Sequence, residues 1–174
     1  MMSAPEHPLT LVLVGPMAAG KTSVGRKIAR LLDVPFTDTD KRIAAGHGPI
    51  PQLFAEHGEP YFRQLERDAV ADAVAEGGVV SLGGGAVTDA DTRTLLTQHP
   101  VVFLTVSEEA VAHRIGGGGR PLLAGDEDPL TRWRTIFEQR RGWYEAVADL
   151  TVDTSRRPMR TIAEEIAAWR KEQS

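Results

Sequence analysis

Short apolar runs alternate along the chain with segments whose apolar residues recur every three or four positions. Leu9–Val14 is almost continuously apolar, the pattern of a strand buried on both faces. Lys21–Leu32 places Val24, Ile28, Leu31 and Leu32 on one helical face. Pro35–Asp38 predicts a short second strand. Helical pattern then returns in fragments at Lys41–Ala45 and Ile50–His57, and at greater length over Pro60–Glu76. Val79–Leu82 predicts a strand, Asp89–Gln98 a helix opened by an Asp cap, Val101–Val106 a strand and Glu108–Ile115 a helix. Pro129–Val147 predicts a long helix and Asp149–Val152 a last strand. Pro158–Trp169 closes the chain as a helix with Ile162, Ile166 and Trp169 in register. Strand and helix in strict alternation predict an α/β fold, a parallel sheet covered by helices on both faces. Ligands of such sheets bind beyond the carboxyl ends of the strands. No repeat and no second composition interrupts this order, so residues 1–174 read as one domain, with 1–8 as a flexible N-terminus.

Composition narrows the chemistry. With 41% hydrophobic and 25% charged residues, the chain has the balance of a soluble globular protein. It has no cysteine, which excludes disulfides, thiolate zinc sites and Cys nucleophiles. His7, His47, His57, His99 and His113 include no pair at the three-to-five spacing of a short-range metal site. A formal charge of -4 gives no reason to expect nucleic acid as a partner. The apolar run after the N-terminus is too short for a signal peptide or for the roughly 20 residues that span a bilayer. The expectation is a cytoplasmic protein, a monomer, with neither membrane nor nucleic-acid partners.

Gly15-Pro16-Met17-Ala18-Ala19-Gly20-Lys21-Thr22 fits the phosphate-loop pattern G-x-x-x-x-G-K-[ST], between a buried strand and a helix as that motif requires. Successive backbone N–H groups can cradle phosphate oxygens, and the helix N-terminus adds a positive dipole. Lys21 would reach the outer phosphates and Thr22 would offer its hydroxyl to Mg²⁺. ATP and Mg²⁺ are therefore the expected cofactors. Asp38 and Asp40 close the second predicted strand as Asp-Thr-Asp. Alternate strand residues point the same way, so both carboxylates would face the phosphate site. One would sit on the magnesium shell and the other would accept a substrate hydroxyl proton. A polar turn with a helix cap at Asp40 is the alternative. No Asn-Lys-x-Asp stands in the chain to read guanine, which leaves small-molecule phosphoryl transfer.

Arg140 interrupts an apolar helical stripe of Leu130, Trp133, Phe137, Tyr144 and Val147. An arginine facing the interior needs an anion, and a carboxylate or phosphate suits its fork; snorkelling to the surface is the other outcome. Arg63 stands three residues before Glu66, close enough for a helix-face ion pair. Arg120 follows the run Gly116–Gly119, and a hinge of that kind can carry an arginine onto a transferring phosphate. Gly83-Gly84-Gly85 ends the third strand in bare backbone, which a ligand can approach closely.

These motifs resemble those of shikimate kinases. The likeness rests on Gly-Pro-Met-Ala-Ala-Gly-Lys-Thr, Asp-Thr-Asp, Phe-Ala-Glu-His-Gly-Glu-Pro-Tyr-Phe-Arg, Gly-Gly-Gly-Ala-Val, Arg-Pro-Leu-Leu-Ala and Tyr-Glu-Ala-Val-Ala-Asp-Leu-Thr-Val-Asp-Thr, in the family's order from about Leu9 to Trp169. The resemblance implies a P-loop fold of the nucleoside-monophosphate-kinase type with a five-stranded parallel sheet. It implies transfer of the ATP γ-phosphoryl group to the 3-hydroxyl of shikimate. By position, Lys21, Asp40 and Arg120 are the catalytic residues. Gly15, Ala18, Ala19, Gly20, Lys21, Thr22, Ser23, Arg114, Arg120 and Pro158 hold the nucleotide, with Arg114 and Pro158 flanking adenine. Thr22 and Asp38 serve the metal. Asp40, Arg63, Gly83, Gly84, Gly85 and Arg140 hold shikimate, both arginines on its carboxylate, and Glu66 orients Arg63. Residues from about 38 to 66 form the substrate region, and those from about 114 to 126 a mobile lid. Ala18-Ala19 departs from the family, which usually has Gly in the first half of the loop. Gly142-Trp143 replaces the usual Pro-Leu or His-Leu before Tyr144. A related kinase for another polyol acid such as gluconate, and a non-catalytic nucleotide-binding module, are the rival readings.

Overall fold

The computed structural model describes residues 9–115 and 128–173. Five strands form one wholly parallel sheet: β1 (Thr10–Val14), β2 (Phe36–Asp38), β3 (Gly78–Ser81), β4 (Val101–Thr105) and β5 (Leu150–Asp153), in the order β2-β3-β1-β4-β5. The helices are α1 (Lys21–Leu32), α2 (Thr39–His47), α3 (Ile50–His57), α4 (Glu59–Glu76), α5 (Ala90–Leu96), α6 (Glu108–Ile115), α7 (Pro129–Val147) and α8 (Met159–Glu172). This is the expected α/β fold, and each predicted element is present with ends within a few residues.

The pleat of the central strand explains why both faces are covered. Leu11 and Leu13 project to one side, into a core with Val24 and Ile28 of α1 and Ile162 and Ile166 of α8. Val12 and Val14 project to the other, among Val70 and Val74 of α4, Leu96 of α5 and Tyr144 of α7. β1 is fully buried along its length, which is why its sequence shows no polar alternation. A third, smaller cluster of Ile43, Leu53, Phe62 and Ala69 ties α2, α3 and α4 together to one side. That cluster stands beside the carboxyl ends of β2 and β3 and becomes one wall of the site.

One expectation needs correction. β2 ends at Asp38, so Asp40 is not on a strand but in the first turn of α2. Asp38 is itself the cap: its Oδ1 accepts from the Lys41 backbone N–H at 3.2 Å. The convergence of the two carboxylates therefore follows from a strand end running straight into a helix, not from strand alternation. Among the described residues, no helix is long and apolar enough to cross a membrane.

Candidate active site

The loop from Gly15 to Thr22 joins β1 to α1, and its carbonyls are all committed to protein donors. Lys21 Nζ donates to Gly15 O at 2.8 Å and to Pro16 O at 2.9 Å. Trp133 Nε1 donates to Met17 O at 2.8 Å, Arg114 Nη1 to Ala18 O at 2.7 Å and Thr154 Oγ1 to Ala19 O at 2.7 Å. The Gly20 carbonyl starts α1 by accepting from Val24 N at 2.9 Å. What this loop has left to offer a ligand is amide N–H groups at a helix N-terminus, beside an ammonium. That donor set fits a chain of phosphates. Gly20, the helix cap, has φ +88°, and Ala18 has φ +68°. Glycine takes that conformation freely; for alanine it costs about 1 kcal/mol or more.

Thr22 and Asp38 meet at the same end of the loop, Thr22 Oγ1 donating to Asp38 Oδ2 at 3.1 Å. Among the described residues, no cluster of three or more His, Cys, Asp or Glu could hold a metal by itself. One hydroxyl and one carboxylate do fit Mg²⁺, which commonly takes few protein ligands and completes its shell with phosphates and water. Ser23 is exposed and accepts from Lys27 Nζ at 3.3 Å. Arg114, in the last turn of α6, also donates from Nη2 to Thr154 O at 2.6 Å. Pro158 caps α8, and the adjacent Met159 methyl group lies against Gly20. Both residues assigned to adenine are thus brought to the phosphate loop.

A cavity of about 590 Å³ opens beside this loop. Its polar end is Asp40, Arg63, Glu66, Arg140 and the three glycines; its apolar wall includes Ile50, Phe54 and Phe62. Arg63 Nη1 donates to Glu66 Oε1 at 2.7 Å, and Glu66 is only 2% exposed. Arg63 also bonds Glu59 at 3.4 Å and lies over the Phe62 ring, so its guanidinium is held on three sides. Arg140 is half-buried in the apolar stripe, as its sequence position implied, and lines the cavity. One turn on, the fully buried Tyr144 hydroxyl donates to Gly84 O at 2.5 Å. Burial pushes that phenol up to about 12, which keeps it a donor.

The triple glycine is explained by close approach. A Cβ on Gly83 would lie 2.5 Å from Asp40 Oδ1, and one on Gly85 would lie 2.5 Å from Arg63 Nη2. At Gly84 the nearest atoms would be at 3.5 Å or more, ordinary contact. Burial pushes the Asp40 carboxyl above its ordinary value and the Asp38 charge adds to the rise, while Lys21 and Arg63 pull against it. Burial likewise raises Glu66, against the opposing pull of Arg63.

Nearly every sequence-assigned residue that the structure describes converges here. Arg120 and Gly116–Gly119 lie outside the described residues, as do residues 1–8. Sequence reading missed Trp133 and Thr154 on the loop carbonyls, the Tyr144 bond to Gly84, and the apolar wall. Phe54 and Phe62 stand inside a motif read only for its arginine, and Thr154 inside Val-Asp-Thr; no periodicity marks them as site residues.

Comparisons with known proteins point one way. The family model described as shikimate kinase matches residues 17–171. The shikimate kinase of Salinispora tropica is 49% identical over 160 residues, covering 90% of this chain and 95% of its own. That of Salinispora arenicola is 47% identical with the same coverage. Among solved structures, the Acinetobacter baumannii shikimate kinase in complex with shikimate superposes with a TM-score of 0.89 at 34% identity, covering 97% of this chain and 96% of that one.

Proposed function

From the premise that the chain belongs to the shikimate kinase family, we propose the following division of labour among its residues. The protein is an ATP-dependent phosphotransferase with an alcohol acceptor, a shikimate kinase that converts shikimate and ATP to shikimate 3-phosphate and ADP. The observation that carries the site assignment is the pairing, in one cavity, of a carboxylate beside the phosphate loop with two arginines at the glycine-lined end. A small hydroxy acid needs both: a group for its hydroxyl and a group for its carboxylate.

In this reading, the amides of residues 15–20 and Lys21 hold the ATP phosphates, and Arg114 and Pro158 flank adenine. Thr22 and Asp38 hold Mg²⁺, which when bound neutralises charge on the phosphates. Asp40 orients the acceptor hydroxyl and takes its proton. Arg63, aimed by Glu66, and Arg140 grip the acid's carboxylate, for which Arg is suited by its planar fork. The apolar wall of Ile50, Phe54 and Phe62 excludes water from the ring face. Arg120 is the expected lid arginine. A cytoplasmic monomer with no macromolecular partner suffices for this chemistry. The gluconate kinase reading is the weaker, since the family match favours shikimate, while the two arginines would serve the carboxylate of either acid. A coupled assay of ADP release with shikimate and with gluconate tests it: turnover with gluconate alone overturns the assignment.

Two predictions follow from the acid's end of the cavity. Gly85→Ala should drive the Arg63 guanidinium from its place while leaving the fold intact, because the clash is with the far end of a side chain. Shikimate affinity should fall by about tenfold to a hundredfold, the worth of one charge-assisted hydrogen bond. Gly84→Ala, with no such clash, should cost far less. Calorimetric titration of both variants checks this, and equal losses would refute it. For Arg140, the test is a double-mutant cycle: Arg140→Ala in the protein against replacement of the ligand carboxylate by a neutral amide. Arg140→Ala should weaken shikimate by about tenfold to a hundredfold and the amide hardly at all. Arg140→Lys should not restore binding, since an ammonium cannot reproduce the fork.

A further inference from the structure

The alanine at position 18 holds a backbone conformation that glycine would adopt at no cost, and something must keep it there. Its φ of +68° is set by the orientation of the peptide unit that joins Met17 to Ala18. The oxygen of that same unit, Met17 O, accepts the Trp133 indole N–H at 2.8 Å. Trp133 is 3% exposed, packed in the core between α7 and the loop and stacked on Phe137 at 5.1 Å between ring centroids. Its donor is therefore held in place by a buried, stacked ring.

The geometry of a trans peptide makes the consequence specific. The carbonyl and the N–H of one unit point in opposite directions. With Met17 O directed at α7, the Ala18 N–H points the other way. A flip of this unit would carry Ala18 out of the left-handed region and relieve its strain. It would also exchange the two groups, presenting a carbonyl where an amide had been. A carbonyl directed at phosphate oxygens repels them.

We propose that Trp133 is a positioning residue for the nucleotide: its indole N–H holds the Met17–Ala18 peptide unit so that the Ala18 amide, and not the Met17 carbonyl, faces the phosphates. The need for the strap comes from the alanine itself. A glycine at position 18 would hold the same conformation without help. Arg114 and Thr154 secure the next two carbonyls, whereas the bond from Trp133 acts on the unit that sets the Ala18 φ. The inference rests on residues 15–22 being the phosphate site.

The test is ADP binding, measured by calorimetry without shikimate, in four chains: the parent, Trp133→Phe, Ala18→Gly and the double variant. Phenylalanine keeps most of the packing and removes the donor. Trp133→Phe should weaken ADP about threefold to tenfold in the parent, the worth of one hydrogen bond. Beside Ala18→Gly the same change should cost less than about twofold, because the flipped state no longer relieves strain. Shikimate binding should move little in either background. Equal ADP losses in the two backgrounds, or equal losses of ADP and shikimate, would show that Trp133 only packs, and would overturn the proposal. A parent chain that fails to bind ADP would instead remove the phosphate-site reading on which the proposal stands. Should Trp133→Phe not fold, deuterium exchange of the Trp133 indole N–H answers the question in the parent, with assignment by replacing Trp143 and Trp169 in turn. It should exchange much more slowly than that of exposed Trp143, and more slowly still once Ala18→Gly is introduced, because the flip that frees the indole then relieves no strain; a rate equal to that of Trp143, or one not lowered by Ala18→Gly, overturns the strap.

Discussion

Lys21→Ala is expected to lower kcat by at least about 10²–10³-fold, the cost of removing one preorganised donor from developing charge. The ammonium lies within 3 Å of two loop carbonyls, at 2.8 and 2.9 Å, so it is already held beside the phosphate site before chemistry begins. It is also near enough to Asp40 to pull that carboxyl's pKa down. Two effects should therefore appear together. The transferring group loses its cation, and Asp40 loses a partner that favours its ionised form, so the acid limb of the remaining activity should move to higher pH. The fold should survive, because the lysine is at the first residue of α1 and outside the buried core. Steady-state kinetics across pH, with a thermal melt as control, checks both effects. Turnover within about threefold of the parent would remove the catalytic assignment of Lys21, given the usual worth of such groups.

Asp40→Asn should lower kcat by roughly 10²–10⁴-fold, the range for a positioned acid–base group. ADP affinity should change little, since the metal assignment falls on Asp38 and Thr22. The pKa shift adds a signature that simple damage would not reproduce. Burial raises the Asp40 carboxyl above its ordinary value. A raised carboxyl destabilises the fold when ionised: the penalty is absent below the unfolded pKa and is complete above the folded one. At neutral pH the asparagine variant should thus be no less stable than the parent, and its melting temperature should be equal or higher, while its rate collapses. Near pH 3 that advantage should vanish. The parent's rate should fall on the acid side as Asp40 takes up its proton, at a pH above that of an ordinary aspartate, and the variant should lack this limb. A variant that loses ADP affinity and keeps its rate would reassign Asp40 to the metal.

The sequence by itself determined the fold class and the strand–loop–helix unit on which the nucleotide reading rests. A strand buried on both faces has no polar alternation, and the loop after it must satisfy local backbone demands; both leave a contiguous signature in residues 9–22. The place of Arg140 on the cavity wall was also legible, because a charge inside an apolar stripe conflicts with the local pattern. The partition between Asp38 and Asp40 was decided otherwise. Strand alternation suggested that both face the phosphates, but β2 stops at Asp38, and the carboxylates converge because a helix begins at Thr39. Only the tertiary structure disclosed why the third strand must end in glycine. The Cβ atoms missing from Gly83 and Gly85 are spaces filled by Asp40 and Arg63, residues more than 20 positions away. Only it joined Trp133, Arg114 and Thr154 to the phosphate loop, across sequence separations of 116, 96 and 135 residues. Periodicity reports which face of an element is buried; it carries no record of which distant atom that face will touch. The chemistry of the site was written locally, while its alignment depends on contacts that exist only once the sheet has brought its carboxyl ends together.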